Sequence, residues 1–212
     1  MYLSKLELDP SHSMVRRDLA NPYEMHRTLS RVFAVSADEP PGRFLWRQEK
    51  GREQPSDAVG VVLVQSERPG NWQAIDELKG YALKRHPDKH VDLARLVQPG
   101  CSYVFRLISN PTVTRVGKRY GLLREAEQLE WLQRQSQQHG FEILRVDIVR
   151  SERMAFRQGQ NGHFITIQVV QFDGVLRVQE AGRMVGAVLR GIGHAKARGF
   201  GMLSLAPVHQ GP

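Results

Sequence analysis

Residues 2–8 alternate, with Tyr2, Ser4, Leu6 and Leu8 on one side and Leu3, Lys5 and Glu7 on the other, the period-two mark of a half-buried strand. Helical spacing follows, because Met25, Leu29, Val32 and Phe33 form an apolar stripe behind Asn21-Pro22 and predict a helix over residues 22–34. Asn21 suits the cap and Pro22 the first turn, while Glu24 falls where a capping-box carboxylate reaches back to the cap N–H. Residues 42–49 and 59–66 read as strands joined by a turn over 51–57, and the nearly continuous apolar run of the second predicts a central position. A short helix over 71–78, a polar loop over 84–92 interrupted by Pro87, and a strand over 102–108 complete a β-α-β-β-α-β order.

The second half repeats that order. A weak strand over 114–118 precedes a helix over 124–139, with Ala126, Leu129 and Leu132 facing inward and Gly140 as its C-cap. Strand-like runs at 141–149, 154–157, 164–172 and 175–178, a helix over 180–190 and a strand over 202–206 follow. Two split β-α-β units in tandem are expected, an α+β arrangement divided into residues 1–112 and 113–212. Between residues 150 and 172 the strands predict a hairpin with a tight turn at Asn161-Gly162, and its arms carry Arg150, Arg153 and Arg157. Those cations either follow nucleic-acid phosphates or make an edge strand unsociable by charge.

Composition adds a partner class to this outline. The formal net charge is +8, and residues 107–212 hold 14 Lys and Arg against 8 Asp and Glu, so the C-terminal half supplies +6 of it. A sequence pI near 10 makes a polyanion the leading partner. Cys101 is the only cysteine, which excludes an intramolecular disulfide and a cysteine-rich zinc site. The first residues read as a strand rather than a signal sequence, and no apolar run is long enough to span a bilayer, so a cytoplasmic protein without a membrane partner is expected.

Tyr23 and His26 are three residues apart and therefore neighbours on the helix surface, away from the Met25–Leu29–Val32 stripe. Free N–H groups and the dipole at a helix start attract phosphate and oppose protonation of a nearby imidazole, so a neutral His26 suits a base. The same pair also reads as two ordinary solvated side chains. One turn apart on this helix, Arg27 and Arg31 read either as phosphate ligands or as a solvated face.

Residues 191–201 hold Gly191, Gly193, Gly199 and Gly201 together with His194, Lys196 and Arg198. Glycines permit close backbone approach to phosphate and the two cations add charge, although a merely flexible loop has the same composition. Lys196 stands where the third glycine of a dinucleotide fingerprint belongs, and no Gly-Lys-Ser/Thr occurs. His86-Pro-Asp-Lys-His90 has a metal-site composition, but Pro87 breaks the alignment and Lys89 adds charge, so a solvated loop is expected. His12, His139, His163 and His209 have no constellation around them. No acidic pair is placed for two-metal chemistry, and neither a metal nor another cofactor is expected. Metal-free cleavage of RNA needs only a base for the ribose 2′-OH, an acid for the 5′-oxygen and cations for the crowded phosphate.

Met1-Tyr-Leu-Ser-Lys-Leu6, Arg17-Asp-Leu-Ala-Asn-Pro-Tyr-Glu-Met-His-Arg27, Phe44-Leu-Trp-Arg47 and the glycine-rich 191–205 stretch together resemble the CasE family, from the first strand to the last. That resemblance implies tandem ferredoxin-like (RRM-like) domains with antiparallel sheets. It further implies metal-independent endoribonuclease cleavage of precursor CRISPR RNA at the 3′ base of the repeat stem-loop. The ends left are a 2′,3′-cyclic phosphate and a 5′-OH, and the product is retained alongside the other Cascade subunits. By motif match His26 and Tyr23 are implied as catalytic, and Arg157, Lys196 and Arg198 as RNA contacts from the basic hairpin and glycine loop. Arg150 and Arg153 carry over less directly, because the connection between the hairpin arms is short here. A non-catalytic stem-loop-binding module of the same fold is the alternative.

Overall fold

The computed structural model describes residues 1–34, 41–49, 59–159 and 162–208, which leaves the expected 51–57 turn, Asn161 of the expected Asn-Gly turn, and His209 outside the described residues. Two compact units divide the chain. The first comprises Met1–Val91 together with Phe156–Ile165 and Ala197–Gly199.

In that unit the alternating N-terminal segment is β1 (Tyr2–Leu8), with Ser4, Leu6 and Leu8 buried. Helices α1 (Ser13–Ala20) and α2 (Pro22–Phe33) lead to β2 (Phe44–Glu49), β3 (Gly60–Ser66), the short α3 (Gln73–Asp76), β4 (Ala82–Arg85) and β5 (Lys89–His90). The antiparallel sheet runs β2-β3-β1-β4, with β5 also on β1, and β1 pairs with β3 from Tyr2↔Ser66 to Leu8↔Gly60. Met25, Leu29 and Val32 of α2 are at most 1% exposed and pack with Leu6, Leu8, Trp46, Val62 and Val64. This apolar stripe fixes which face of α2 remains open, the face that carries Tyr23 and His26.

The expected polar loop over 84–92 is instead two short strands on either side of Pro87, because β1 leaves an edge whose backbone groups need partners. Asp88 accepts hydrogen bonds from Ser4 Oγ at 2.7 Å and Trp72 Nε1 at 3.1 Å, so this segment has a structural job.

The second unit contains α4 (Leu93–Leu96), β6 (Ser102–Ser109), β7 (Thr112–Arg115), β8 (Lys118–Gly121), α5 (Glu125–Gln138), β9 (Phe141–Arg157), β10 (Phe164–Val178), α6 (Ala181–Arg190) and β11 (Leu203–Pro207). Its antiparallel sheet runs β11-β6-β10-β9, and β7 and β8 make a two-stranded sheet of their own. The tip of the long hairpin, Phe156–Ile165, counts with the first unit.

Both sheets thus place the strands of a β-α-β-β-α-β unit in the spatial order fourth-first-third-second, and the chain is a tandem of ferredoxin-like units. The strand over 102–108, expected to close the first repeat, opens the second: it pairs with β10 from Ser109↔Val170 to Ser102↔Arg177 and with β11 at Leu107↔Leu203. Periodicity identifies a strand but not its partner, so the boundary expected at 112/113 falls at Val91/Asp92 instead. On α5, Leu132 is buried as expected, whereas Ala126 and Leu129 are exposed and Gln128 and Trp131 take the inward positions. Gln128 tolerates burial because its amide donates to Leu122 O and Ser151 Oγ, each at 2.9 Å. None of the described helices is long and apolar enough to cross a membrane.

Candidate nucleic-acid active site

The start of α2 is built by Asn21, whose Oδ1 accepts the Tyr23 N–H at 3.0 Å with Pro22 in the first turn. No capping box forms, because the Asn21 N–H donates to Arg17 O at 3.0 Å and closes α1. Glu24 turns inward to Arg17 at 3.6 Å and Arg27 at 3.3 Å. Beneath them Asp18, 1% exposed, accepts from Thr28 Oγ1 at 2.6 Å, Tyr81 OH at 2.7 Å and Arg17 Nε at 2.8 Å. Three donors satisfy this carboxylate, which locks α1 against α2. Burial, followed by the Asp18 charge, pushes the Tyr81 phenol well above its usual range. Arg27 keeps an exposed guanidinium despite its tie to Glu24, and Arg31 is exposed one turn further on.

His26 lies flat on Phe44, with ring centroids 4.9 Å apart and planes 20° apart. Its Nδ1 is buried without a hydrogen-bond partner. Burial first, and the Arg198 charge second, depress its pKa to about 4, so the imidazole is neutral near pH 7. Arg198 stands over the Tyr23 ring at 5.0 Å and over Phe156 at 5.9 Å, a guanidinium stacked on two aromatic faces.

Backbone geometry brings Arg198 there. Gly199 has φ of +80°, and a Cβ at this position would meet the Trp46 ring at 2.8 Å, so only glycine lets the chain lie on that indole. The hairpin tip is fixed from the helix side, since Asn21 Nδ2 donates to Arg157 O at 3.0 Å. The Arg157 guanidinium covers Phe164 at 4.7 Å. Tyr23, His26, Arg27, Arg31, Arg157 and Arg198 therefore belong to the first unit.

Arg150, Arg153, Lys196, Gly191, Gly193 and Gly201 belong to the second. Strand β9 runs unbroken, so side-chain alternation puts Arg150 on the face opposite Arg153 and Arg157. Arg150 pairs with Glu152 at 3.5 Å, and Arg153 is exposed. Most glycines of the loop serve the fold rather than a ligand. Gly201 donates to Ile108 O at 2.7 Å, and a Cβ there would come within 2.5 Å of Ile192 O; Gly191 ends α6, and Gly193 lies on Trp131. Half-buried Lys196 lies near His139 and His194, whose pKa values are lowered by burial first, then by Arg190 and Lys196 for His139 and by Arg119 and Lys196 for His194.

Sequence reading has no means of finding Phe44, Phe156 or the second bond of Asn21. Only the capping role of Asn21 carries a signal. Among the described residues no three His, Cys, Asp or Glu side chains gather as a metal-binding group.

The chain is thus a tandem of ferredoxin-like units whose first unit carries a neutral imidazole, a phenol and an overlying guanidinium at a helix start, and comparison identifies its family. The CRISPR-associated protein family matches residues 1–207. The CRISPR-associated endoribonuclease Cse3 of Thermus thermophilus is 38% identical over 221 residues, covering 98% of this chain and 100% of the relative. The Cascade subunit CasE of Escherichia coli is 33% identical over 223 residues, with 98% and 100% covered. Among solved structures, Thermus thermophilus Cse3 bound to an RNA representing a pre-cleavage complex superposes with a TM-score of 0.85 at 38% identity, covering 97% of this chain and 98% of that one. The chain belongs to the CasE (Cse3) family of CRISPR-associated proteins.

Proposed function

We propose that this protein is a metal-independent endoribonuclease that cuts precursor CRISPR RNA at the 3′ base of the repeat stem-loop and then holds its product as a Cascade subunit. The observation that carries this reading is the neutral His26 imidazole beside the Tyr23–Arg198 stack at the start of α2. The names of the relatives, an endoribonuclease and a Cascade subunit, support it.

His26 takes the proton of the ribose 2′-OH, and the 2′-oxygen attacks the adjacent phosphorus in line. The phosphorus–5′-oxygen bond breaks, and Tyr23 hands that oxygen its proton, giving a 2′,3′-cyclic phosphate and a 5′-OH. Arg198 and the positive end of the α2 dipole stabilise the charge that gathers on the phosphate oxygens. A scissile phosphate beside His26 raises the imidazole pKa again, so a base of low affinity for protons in the free protein is retuned towards its working pH on binding. Arg27, Arg31, Arg153, Arg157 and Lys196 supply phosphate contacts, and a reducing cytoplasm suits the exposed Cys101.

A repeat transcript incubated with the protein in excess EDTA tests the reading. Cleavage at one position with a cyclised 3′ end is expected. Tight binding without cleavage would assign the protein to stem-loop binding alone.

A further inference from the structure

The β7–β8 hairpin has no place in the chemistry above, yet it is an unusual piece of surface. From Asn110 to Arg124 the chain carries Arg115, Lys118, Arg119 and Arg124 and neither Asp nor Glu. Residues 114–121 are all exposed, with Tyr120 at 50% and Val116 at 101%. Arg115 lies directly across from Lys118, and Val113 from Tyr120. Directly opposed like charges destabilise a ribbon, and neither Arg115, Lys118 nor Arg119 has an ion-pair partner among the described residues.

The turn adds a second cost, since Val116 has φ of 48° and Gly117 φ of 72°, a tight hairpin turn that favours asparagine and glycine rather than a β-branched residue. Nothing among the described residues offsets the opposed charges, whereas a bound polyanion does.

The two faces of the ribbon differ. Gly121, on the face of Thr114 and Arg119, approaches Gln168 so closely that a Cβ would lie 2.9 Å from its side chain. At its Gly121 end that face therefore lies against its own unit. Pairing puts Arg115, Lys118 and Tyr120 together on the opposite face. An exposed aromatic ring beside two unpaired cations matches a nucleotide with a free base. Bases within a duplex have no free face to stack, and so the match is to single-stranded RNA.

We propose that the β7–β8 hairpin is a second RNA contact, which takes a single-stranded segment joined to the stem-loop, stacks a base on Tyr120 and holds its phosphates against Arg115 and Lys118. The proposal rests on the stem-loop function above.

Its test uses the full chain and repeat RNA made uncleavable by a 2′-deoxy nucleotide at the cut, as a bare stem-loop and as versions extended at the 5′ or 3′ side. Wild type is expected to bind one extended RNA about tenfold more tightly than the bare stem-loop. Tyr120→Ala removes that gain, Tyr120→Phe keeps it, and the Arg115→Ala/Lys118→Ala pair lowers the salt slope for that RNA by about 1.4, at roughly 0.7 for each single-strand phosphate released. Affinity for the bare stem-loop stays within about twofold of wild type in each variant.

Variants that match wild type on every RNA overturn the proposal. So does an equal loss on bare and extended RNA, which would make the hairpin a duplex contact. RNA binding left intact while co-purification with other Cascade subunits is lost would overturn it too, in favour of a protein interface. A wild type without salt-dependent affinity for any stem-loop sinks the function itself and not only this hairpin.

Discussion

His26 shows how one residue is prepared by its surroundings. Burial against Phe44 and the cationic Arg198 both favour the uncharged ring, which sets the pKa near 4 rather than the ordinary 6.5. The acid limb of kcat/KM reports the free enzyme, so it is expected well below pH 6.5, towards 4; a limb at 6.5 measured by single-turnover cleavage would contradict this. The same shift links to stability with a definite sign. Above pH 6.5 the ring is neutral folded and unfolded alike, but between 6.5 and 4 only the unfolded chain takes up the proton, so stability falls as pH falls through that window. In His26→Gln that part of the fall disappears, which denaturant melts at about pH 7 and 4.5 check, and cleavage is lost while stem-loop affinity changes by less than about threefold. Arg198→Lys tests the overlying cation: a flexible ammonium does not stack as a planar guanidinium does, so the cleavage rate drops by about tenfold or more despite the retained charge.

At the scale of elements, Asn21 joins two that are far apart in sequence, capping α2 with one side-chain atom and holding Arg157 O with the other. A shorter cap separates these tasks. Asn21→Ser keeps an acceptor for the Tyr23 N–H but cannot reach Arg157, so the melting temperature is expected to stay close to wild type while stem-loop binding weakens severalfold. Rescue of the cap without loss of binding would show that the bond to the hairpin has no effect on RNA. Helix α2 is legible in the sequence because cap, proline and apolar stripe all agree. The inward turn of Glu24 is not, because a local motif cannot reveal that α1 ends on the same Asn21 N–H. Helix α1 itself offers only Met14, Val15 and Leu19 as apolar positions packed on the core, and they show no clear period. The 84–92 segment looks like a loop because two short edge strands around a proline leave almost no alternation to read.

For the whole molecule, the repeat of β-α-β-β-α-β is visible in the sequence, whereas the assignment of β6 is not, since pairing is decided by sheets that form only in three dimensions. The same limit applies to the site. Tyr23 and His26 announce themselves by helical spacing, but the stack of Arg198 on Tyr23 depends on Gly199 lying against Trp46, a contact no local pattern encodes. Charge is legible as a property of the C-terminal half, yet its placement is not: Arg150 is paired and turned away from Arg153 and Arg157, and the hairpin pair Arg115–Lys118 carries cations that a weak strand pattern over 114–118 does not single out.

All of this rests on the RNA supplying its own nucleophile. The most direct measurement replaces the single ribose before the cut with its 2′-deoxy form and follows binding and cleavage in EDTA. The RNA is expected to bind with unchanged affinity and remain intact while the all-ribose control is cut to a 2′,3′-cyclic end; cleavage of the deoxy RNA at the same position would contradict the account.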